Sequence, residues 1–368
     1  MLLDNSAKLT RFRRQVLDWF AANARQMPWR ETTDPYRIWV SEVMLQQTTT
    51  KTVGSYYSRF VERFPAINVL AAAELDEVNR YWEGLGYYRR CSQMHKAAQE
   101  VVDRFNGQFP RKYEDVLKLP GIGRYTAGAV LSLAFDERLP ILEANTERLY
   151  SRLIALPENP KTSESQKQLW AFADRILPKK NVGRFNLALM DIGNAVCTVK
   201  EPDCTDCPVV RYCEAVQAGI QHLIPLPLPK EKHIDRTEVA LLIRKNQKIL
   251  MIRYHPHQRW AGLWDFPRAE SAAEIPLEIA GDAVLQRRLA ALTGRQFEPG
   301  KVLKTLKHCV TRYRITLYFC EGTDNGAAPL QNSERCESRW VSAAELAELP
   351  LHSTARKLAL FLEQAKVF

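Results

Sequence analysis

Two carboxylates stand where a side-chain acid could act on a substrate. Glu42 lies in the run IWVSEVMLQQT at residues 38–48, which is mostly apolar and favours a helix. Burying an ionised carboxylate is costly unless the group is paired or takes up a proton. Glu42 is therefore expected either to face a cleft as an acid or to lie at the surface in a salt bridge. Glu143, which leads into a later helix, is the second candidate acid and could act on a sugar.

Four cysteines close together in the sequence indicate a metal centre. They follow the spacing C-x6-C-x2-C-x5-C and are Cys197, Cys204, Cys207 and Cys213. In a chain without a recognisable export signal, such a set favours metal ligation over disulfides. Zinc sites usually pair two CxxC-like knuckles, whereas this loop has one and uneven spacings. The pattern therefore favours a compact loop around one [4Fe–4S] cluster over a zinc site.

A Gly-rich turn between two helical patterns could bind a phosphate. The segment LPGIG at 119–123 contains Gly121 and Gly123 and is followed by an apolar helical run. Glycines permit a tight turn, and N–H groups at the start of the next helix point outward at an anion. This arrangement suits a DNA backbone regardless of base sequence. The alternative is a plain helical hairpin without a ligand.

A second glycine-rich segment combines aromatic and basic side chains. Residues 84–90 read GLGYYRR, so two glycines stand beside Tyr87, Tyr88 and two arginines. Aromatic rings stack on bases and arginine meets phosphate, which predicts a contact with nucleic acid. A helix–helix turn with tyrosines in the core is the alternative interpretation.

Composition limits the class of protein. The chain has 368 residues, a net charge of +10 and no run of 18 apolar residues, which predicts a cytoplasmic protein without a membrane span. Residues 237–368 contain 19 Lys/Arg and 14 Asp/Glu, so each half carries +5 and could face a polyanion. The Pro-rich stretch at 221–236 predicts a stiff linker. Before it, at 1–220, the pattern is helical; after it, at 237–368, strands and helices alternate as in an α+β domain.

The cysteine spacing and LPGIG together resemble the endonuclease III superfamily of DNA glycosylases. PYRIWVSEVMLQQT, GLGYYRR, the Pro-rich linker and AGLWDFP make the chain similar to the adenine DNA glycosylase (MutY) family over nearly its whole length. The resemblance implies a helix-hairpin-helix domain with a [4Fe–4S] loop at 197–213 and a Nudix/MutT-like second domain. It also implies base excision repair of adenine opposite 8-oxoguanine in double-stranded DNA, by a bacterial, nucleoid-associated monomer.

The resemblance assigns roles to individual residues. Glu42 matches the general acid/base, Glu143 the essential Asp and Asn145 its neighbouring Asn. Tyr125 stands where bifunctional relatives carry a Schiff-base lysine, which implies a monofunctional enzyme. Gln47 matches a side chain that is wedged into the duplex. The remaining matches, which concern the adenine pocket, the probing loop, the phosphate hairpin and lesion reading, are Trp29, Arg30, Leu45, Tyr87, Tyr88, Gly121, Gly123, His308 and Thr311.

Two departures from the family pattern leave the activity open. The segment at 142–146 reads LEANT where the family has Val-Asp-Gly-Asn-Val, so a longer acid replaces Asp and Ala144 replaces Gly. The Phe-Ser-His segment that reads 8-oxoguanine aligns with Val310-Thr311-Arg312. Three hypotheses follow: an adenine glycosylase with a re-fitted pocket, a glycosylase for another base or mispair, or a lesion-binding protein with weak or no catalysis.

Overall fold

The computed structural model describes residues 5–226, 232–271, 279, 282–324, 330 and 332–365. The chain forms two compact units, one of residues 1–72 with 93–229 and one of residues 73–92 with 230–368. We call them the helical unit and the mixed unit. The mixed unit takes a short segment from the N-terminal half of the chain, which sequence patterns did not suggest. The division at 1–220, 221–236 and 237–368 stays a prediction.

Helices with buried apolar stripes build the helical unit. In the first helix, Phe12, Val16 and Phe20 recur at four-residue spacing and are buried. Asn5 caps this helix through its side-chain oxygen, which accepts from Ala7 N at 2.9 Å. The helices that lie at least partly in this unit are α1 (Ser6–Asn23), α2 (Pro35–Leu45), α3 (Thr50–Arg63), α4 (Ile67–Ala72), α6 (Tyr88–Phe105), α7 (Tyr113–Lys118), α8 (Arg124–Phe135), α9 (Ala144–Leu153), α10 (Ser163–Ile176), α11 (Val182–Asp191) and α12 (Glu214–Gln217), and α5 (Leu75–Trp82) belongs to the mixed unit.

Helix α8 is the central element of the helical unit. Residues 126–132 are all buried, so this helix is apolar on every side and packs against α2 and α11. Because α8 packs on α2, Tyr125 in its first turn lies beside Glu42. The helix ends at Asp136, which adopts a left-handed conformation with φ +56°.

The mixed unit contains a seven-stranded sheet in the order β3-β2-β1-β6-β5, with β4 paired to β1 and β7 to β2. Strands β1 and β6 run parallel, and the other pairs are antiparallel. Asn246 and Gln247 form the turn between the first two strands and have φ +51° and +60°. The elements are β1 (Ile234–Lys245), β2 (Lys248–Tyr254), β3 (Trp264–Asp265), β4 (Arg268–Ser271), α13 (Ala283–Thr293), β5 (Phe297–Val310), β6 (Tyr313–Asp324), β7 (Cys336–Val341), α14 (Ala343–Glu348) and α15 (Ser353–Gln364).

The predicted fold class is confirmed, since a mainly helical part precedes an α+β part. Part of the predicted linker, residues 227–231, lies outside the described residues. A search of the described helices finds none that combines the length and the apolar character of a membrane span.

Candidate active site

A cavity of about 810 Å³ in the helical unit brings the two carboxylates together. It is bounded by the segment around Arg30, by α2, by the first turn of α8 and by the start of α9. Most of the residues predicted for catalysis and base binding share this cavity. They are Trp29, Arg30, Glu42, Leu45, Gln47, Tyr125, Glu143 and Asn145.

Glu42 is a buried acid that faces this cavity. Its side chain lies on α2, and the residue is only 3% exposed. The Tyr125 hydroxyl donates to Glu42 Oε2 at 2.5 Å. Burial raises the pKa of Glu42 to about 7, and the nearby Glu143 charge adds to this, while the Tyr125 hydrogen bond and Arg30 oppose it. Glu42 can therefore hold a proton near neutral pH, as a general acid must.

Glu143 binds the N-terminus of α9 with its carboxylate. Its Oε1 accepts from Thr146 N at 2.8 Å and its Oε2 from Asn145 N at 2.9 Å. Asn145 Nδ2 donates to the same Oε2 at 3.1 Å. Burial raises the pKa of Glu143, but the three donors and Arg148 favour the charged form. The Glu143 side chain, which is one methylene longer than Asp, folds back onto the N-terminus of α9. The helix end holds its negative charge in place.

Two arginines of the cavity lining, Arg25 and Arg30, form a buried ion-pair network with Asp191. Arg30 donates to both Asp191 carboxylate oxygens, at 2.7 and 2.9 Å, and Arg25 Nε donates to Oδ1 at 2.9 Å. Burial alone would raise the pKa of Asp191, but the two arginines outweigh it and leave that pKa lowered. Sequence patterns did not identify Arg25 as a partner of Asp191. The available signal was a carboxylate within an apolar helix, which requires a cation nearby.

Arg148 connects the end of α9 with the cysteine loop. Its Nη2 donates to Asn145 Oδ1 at 3.0 Å, and its Nε donates to Cys197 O at 2.7 Å. The backbones approach closely here, because a Cβ on Gly193 would lie 2.7 Å from Asn145 O. Glycine is therefore required at position 193 for the chain to pass the cavity wall.

The four predicted cysteine ligands line one small cavity. Among the described residues, no group of three His, Cys, Asp or Glu side chains converges as a single-ion site requires. Arg152 is buried, donates to Cys197 Sγ at 3.2 Å, and otherwise donates to the carbonyls of Ile224, Thr198 and Val199. Within the part of the chain that the structure describes, no carboxylate pairs with Arg152, and a buried cation of this kind fits an anionic thiolate cluster.

The Gly-rich turn at 119–123 joins helices α7 and α8, as predicted, and is not part of the cavity lining. Gly121 has φ +75°, and a Cβ there would lie 2.7 Å from Gln93 Cβ, so only glycine fits. Gly123 is the N-cap of α8 and leaves the first turn without a side-chain acceptor. Both glycines are exposed, so a phosphate could approach the backbone of this turn.

Gln47 has the exposure expected for a side chain that enters DNA. It follows the end of α2 at the mouth of the cavity, is exposed and has φ +58°. A positive φ is uncommon for a residue other than glycine and is found at functional sites. The predicted role of Gln47 as a wedge stays a prediction.

The two tyrosines of GLGYYRR differ in exposure. Tyr87 is 58% exposed, whereas Tyr88 is 7% exposed and donates from its hydroxyl to Leu351 O at 3.2 Å. The Tyr88 ring is packed inside the mixed unit, and its contact with DNA stays a prediction. The core-tyrosine alternative describes Tyr88, and Tyr87 keeps the DNA-contacting prediction.

The predicted lesion-reading residues lie on the β5–β6 hairpin. Thr311 is exposed at the turn with φ +51°, followed by the exposed Arg312. His308 is partly buried, and its Nε2 lies 3.3 Å from Arg268 Nη2. Burial and Arg268 lower the pKa of His308 to about 4, so its imidazole is neutral at physiological pH. Contact of these residues with DNA stays a prediction.

The chain matches two known protein families and is similar to solved DNA glycosylase structures. Residues 40–175 match the HhH-GPD superfamily of base excision DNA repair proteins, and residues 238–360 match the NUDIX domain family. A thermostable thymine-DNA glycosylase has a similar structure, with a TM-score of 0.53, 28% identity and coverage of 57% of this chain and 97% of that chain. Endonuclease III bound to DNA shares the fold, with a TM-score of 0.50 and 21% identity over 59% of this chain and 99% of that chain.

The fold and the acid-lined cavity define a base excision DNA repair glycosylase of the HhH-GPD superfamily, whose partner is DNA. The adenine DNA glycosylase of Buchnera aphidicola subsp. Schizaphis graminum is 36% identical over 71% of this chain and 75% of that protein. The human adenine DNA glycosylase is 39% identical over 78% of this chain and 54% of that protein. The chain belongs to the adenine DNA glycosylase family, which confirms the family expected from the sequence.

Proposed function

We propose that this protein hydrolyses the N-glycosidic bond of adenine paired with 8-oxoguanine in duplex DNA. The observation that carries the proposal is the buried Glu42, whose pKa is raised to about 7 and which accepts a 2.5 Å hydrogen bond from Tyr125. Protonation of adenine at N7 by this acid makes the base a better leaving group. The relatives from Buchnera aphidicola and human are adenine DNA glycosylases, which supports adenine as the base.

Departure of the base leaves positive charge on the sugar, and Glu143 is the group that stabilises it. An oxocarbenium-like sugar is stabilised by a carboxylate on its face, as in glycoside hydrolysis. Three donors hold the Glu143 carboxylate, namely the Asn145 and Thr146 N–H groups and Asn145 Nδ2, and the Glu143 N–H donates to Thr146 Oγ1. A carboxylate held this firmly needs little reorganisation during the reaction. Water then adds to C1′ of the sugar and gives a proton back to the Glu42 carboxylate, which leaves an abasic site beside the adenine already released.

The target base must leave the duplex before it reaches this buried cavity. Gln47 and Tyr87, both exposed and both with positive φ, are the side chains proposed to enter the gap. Trp29, Arg30 and Leu45 line the cavity and are proposed to receive the base. Gly121 and Gly123 bind the DNA backbone, while His308 and Thr311 contact the 8-oxoguanine strand. The enzyme acts as a monomer on the bacterial nucleoid.

Cys197, Cys204, Cys207 and Cys213 are proposed to hold a [4Fe–4S] cluster. The support is the all-thiolate donor set, its single cavity and the buried guanidinium of Arg152. When bound, the cluster cross-links the loop and neutralises that cation, a structural contribution. A brown preparation with absorbance near roughly 400 nm, lost together with iron in Cys204→Ser, is the expected result. A colourless protein that binds one zinc would overturn this assignment.

Single-turnover cleavage of an 8-oxoguanine:adenine duplex, followed by hot alkali, tests the reaction. We expect strand scission at the adenine that is abolished in Glu42→Gln. Tight duplex binding without base release would identify a lesion-binding protein instead. Release of a different base from a panel of mispairs would identify altered specificity. Scission without alkali would contradict a monofunctional mechanism, since Tyr125 cannot form a Schiff base.

A further inference from the structure

The loop that carries Tyr87 is anchored to the C-terminal part of the mixed unit. Residues 73–92, which contain helix α5 and the GLGYY loop, belong to the same compact unit as residues 230–368. The contacts that hold this segment lie just before and just after Tyr87. No family-level match or sequence pattern assigns a role to them.

The main anchor is an ion pair between Glu83 and Arg356. Arg356 Nε donates to Glu83 Oε1 at 2.6 Å, and Nη2 donates to Oε2 at 3.0 Å. The two side chains are only 16% and 23% exposed, so water screens the pair weakly. A bidentate arginine–carboxylate contact fixes the orientation of the two side chains as well as their distance. Glu83, directly before the glycine-rich turn, is therefore held firmly in place.

Leu351 joins the two sides of the loop. Its N–H donates to Glu83 Oε2 at 3.4 Å, and its carbonyl accepts from the Tyr88 hydroxyl at 3.2 Å. The same hydroxyl accepts from Gly84 N at 3.3 Å. One backbone residue near the start of α15 thus contacts the residues that flank the loop.

Helix α5 makes further contacts with the same part of the unit. Arg253 on β2 donates to Asp76 at 2.6 Å, and Arg80 pairs with Glu348 at the end of α14. Ion pairs along α5 and at its end restrain the helix that leads into the loop. The anchor therefore acts on the whole segment and not on a single side chain.

The tip of the loop is presented outward. Gly86 has φ +71° and Tyr87 φ +50°, and the Tyr87 side chain is exposed. The guanidinium of Arg90 lies 5.3 Å from the Tyr87 ring centroid and 5.4 Å from that of Trp82. Trp82 Nε1 donates to Gly86 O at 3.1 Å. The tyrosine is thus displayed on a turn whose base is fixed.

We propose that Glu83 and Arg356 are positioning residues, through which the Nudix-like part of the mixed unit holds the Tyr87 loop ready to enter opened DNA. This inference rests on the proposed function, because it assigns the residues that prepare base opening. A loop that inserts a ring into a base stack loses conformational freedom, which costs free energy. This cost is smaller when the loop is already held in the required orientation. The ion pair therefore contributes to opening and not to the bond-breaking step.

A fluorescence experiment on the full-length protein tests this inference. A duplex carries 8-oxoguanine opposite adenine, with 2-aminopurine next to the lesion, and its fluorescence rises when the stack opens. Glu83→Gln and Arg356→Met should each reduce the rise about three- to tenfold, as loss of a charged hydrogen bond predicts. The double variant should lose less than the sum of the two single losses, since both substitutions remove the Glu83–Arg356 pair, while Arg356 also donates to the carbonyls of Ala347 and Leu349. Arg356→Lys, which keeps the charge, should recover part of the signal.

Arg104→Met is the matched control. Arg104 forms an exposed ion pair with Glu100 on α6, so the variant loses the same charge without touching the anchor. It should open DNA as the wild type does, and Tyr87→Ala should abolish the signal. Equal fluorescence for wild type and Arg356→Met, or effects of the two single variants that add up, would overturn the inference. A wild-type protein that neither opens the duplex nor releases adenine would overturn the proposed function, and the inference with it.

Discussion

Each of the two units buries a cluster of acidic and basic side chains, but the pKa of a buried acid is raised in one unit and lowered in the other. In the cavity of the helical unit, Glu42 receives one hydroxyl hydrogen bond, and Arg30 is engaged by Asp191. In the mixed unit, Glu238 accepts from Arg259 at 2.9 Å and from Arg268 at 2.5 Å. Burial raises the pKa of Glu42, whereas the two arginines outweigh burial and lower that of Glu238.

Asp265 repeats the pattern of the mixed unit. It is fully buried, pairs with His352 Nε2 at 2.9 Å and accepts from Phe266 N at 2.9 Å. Trp260 stacks on His352 with ring centroids 3.8 Å apart, which closes the cluster. Burial would raise the pKa of Asp265, but His352 and Arg268 outweigh it. The comparison teaches that an acid becomes available for chemistry where burial is not matched by a dedicated cation.

Replacing Glu42, the acid of the cavity, should have the largest effect on the rate of adenine release. Glu42→Gln keeps the size of the side chain but cannot donate a proton, so the single-turnover rate of adenine release should fall about 10³- to 10⁴-fold. Rapid-quench kinetics with excess enzyme measure this rate. The variant should bind the duplex as tightly as wild type does. A loss smaller than about tenfold would show that Glu42 is not the general acid.

Removing an acid of the mixed unit should instead lower stability. Glu238→Gln leaves Arg268 and Arg259 facing a neutral group in a buried site, which should cost about 3 kcal/mol of unfolding free energy. Urea unfolding followed by tryptophan fluorescence measures the loss. The base-release rate of the protein that remains folded should not change. Wild-type stability in this variant would show that the ion cluster is dispensable.

The pH dependence should report the raised pKa of Glu42. Above pH about 7 Glu42 loses its proton, and the single-turnover rate should fall about tenfold per pH unit. The native carboxyl holds its proton between pH 4.5 and about 7 while the unfolded one does not, so stability falls as pH rises through that window. Glu42→Gln should lose this contribution to the pH dependence of stability. A rate that is flat between pH 6 and 9 would contradict the assignment of the acid.

Shortening the second acid should have the smallest effect. Asp is a good N-cap, so Glu143→Asp should keep the bonds to the start of α9 and change the rate by no more than about tenfold. Single-turnover kinetics of both proteins on one duplex measure the difference, with Glu143→Gln as the variant that removes the charge. A rise of about a thousandfold in Glu143→Asp would show that glutamate at this position impairs catalysis.

Local patterns were sufficient to predict a mainly helical part before an α+β part and to single out Glu42 and the cysteine loop. Glu42 could be singled out because an acid in an apolar helix is anomalous, and the cysteine loop because its ligands are close in sequence. The hairpin glycines could be found because a turn with φ +75° requires glycine. These signals are local, and a sequence shows local constraints directly.

Contacts between distant segments could not be predicted in the same way. Arg25 and Asp191 are 166 residues apart, and nothing in either segment identifies the other as its partner. The contact between Tyr125 and Glu42 depends on how α8 packs on α2, and the fold of the Glu143 side chain depends on the start of α9. The burial of Tyr88 depends on Leu351, which is 263 residues away and which nothing in GLGYYRR identifies as its partner.

The sequence by itself determined which chemical groups the protein has and which helix, turn or loop carries each one. The tertiary structure decided which acid retains its proton, because the pKa of a carboxyl depends on burial and on whether a cation is left to pair with it. It also decided which of two adjacent tyrosines faces solvent, since that depends on the packing of residues 73–92 within the mixed unit. Spacing along the chain carries neither kind of information, because both arise from segments that meet only after folding.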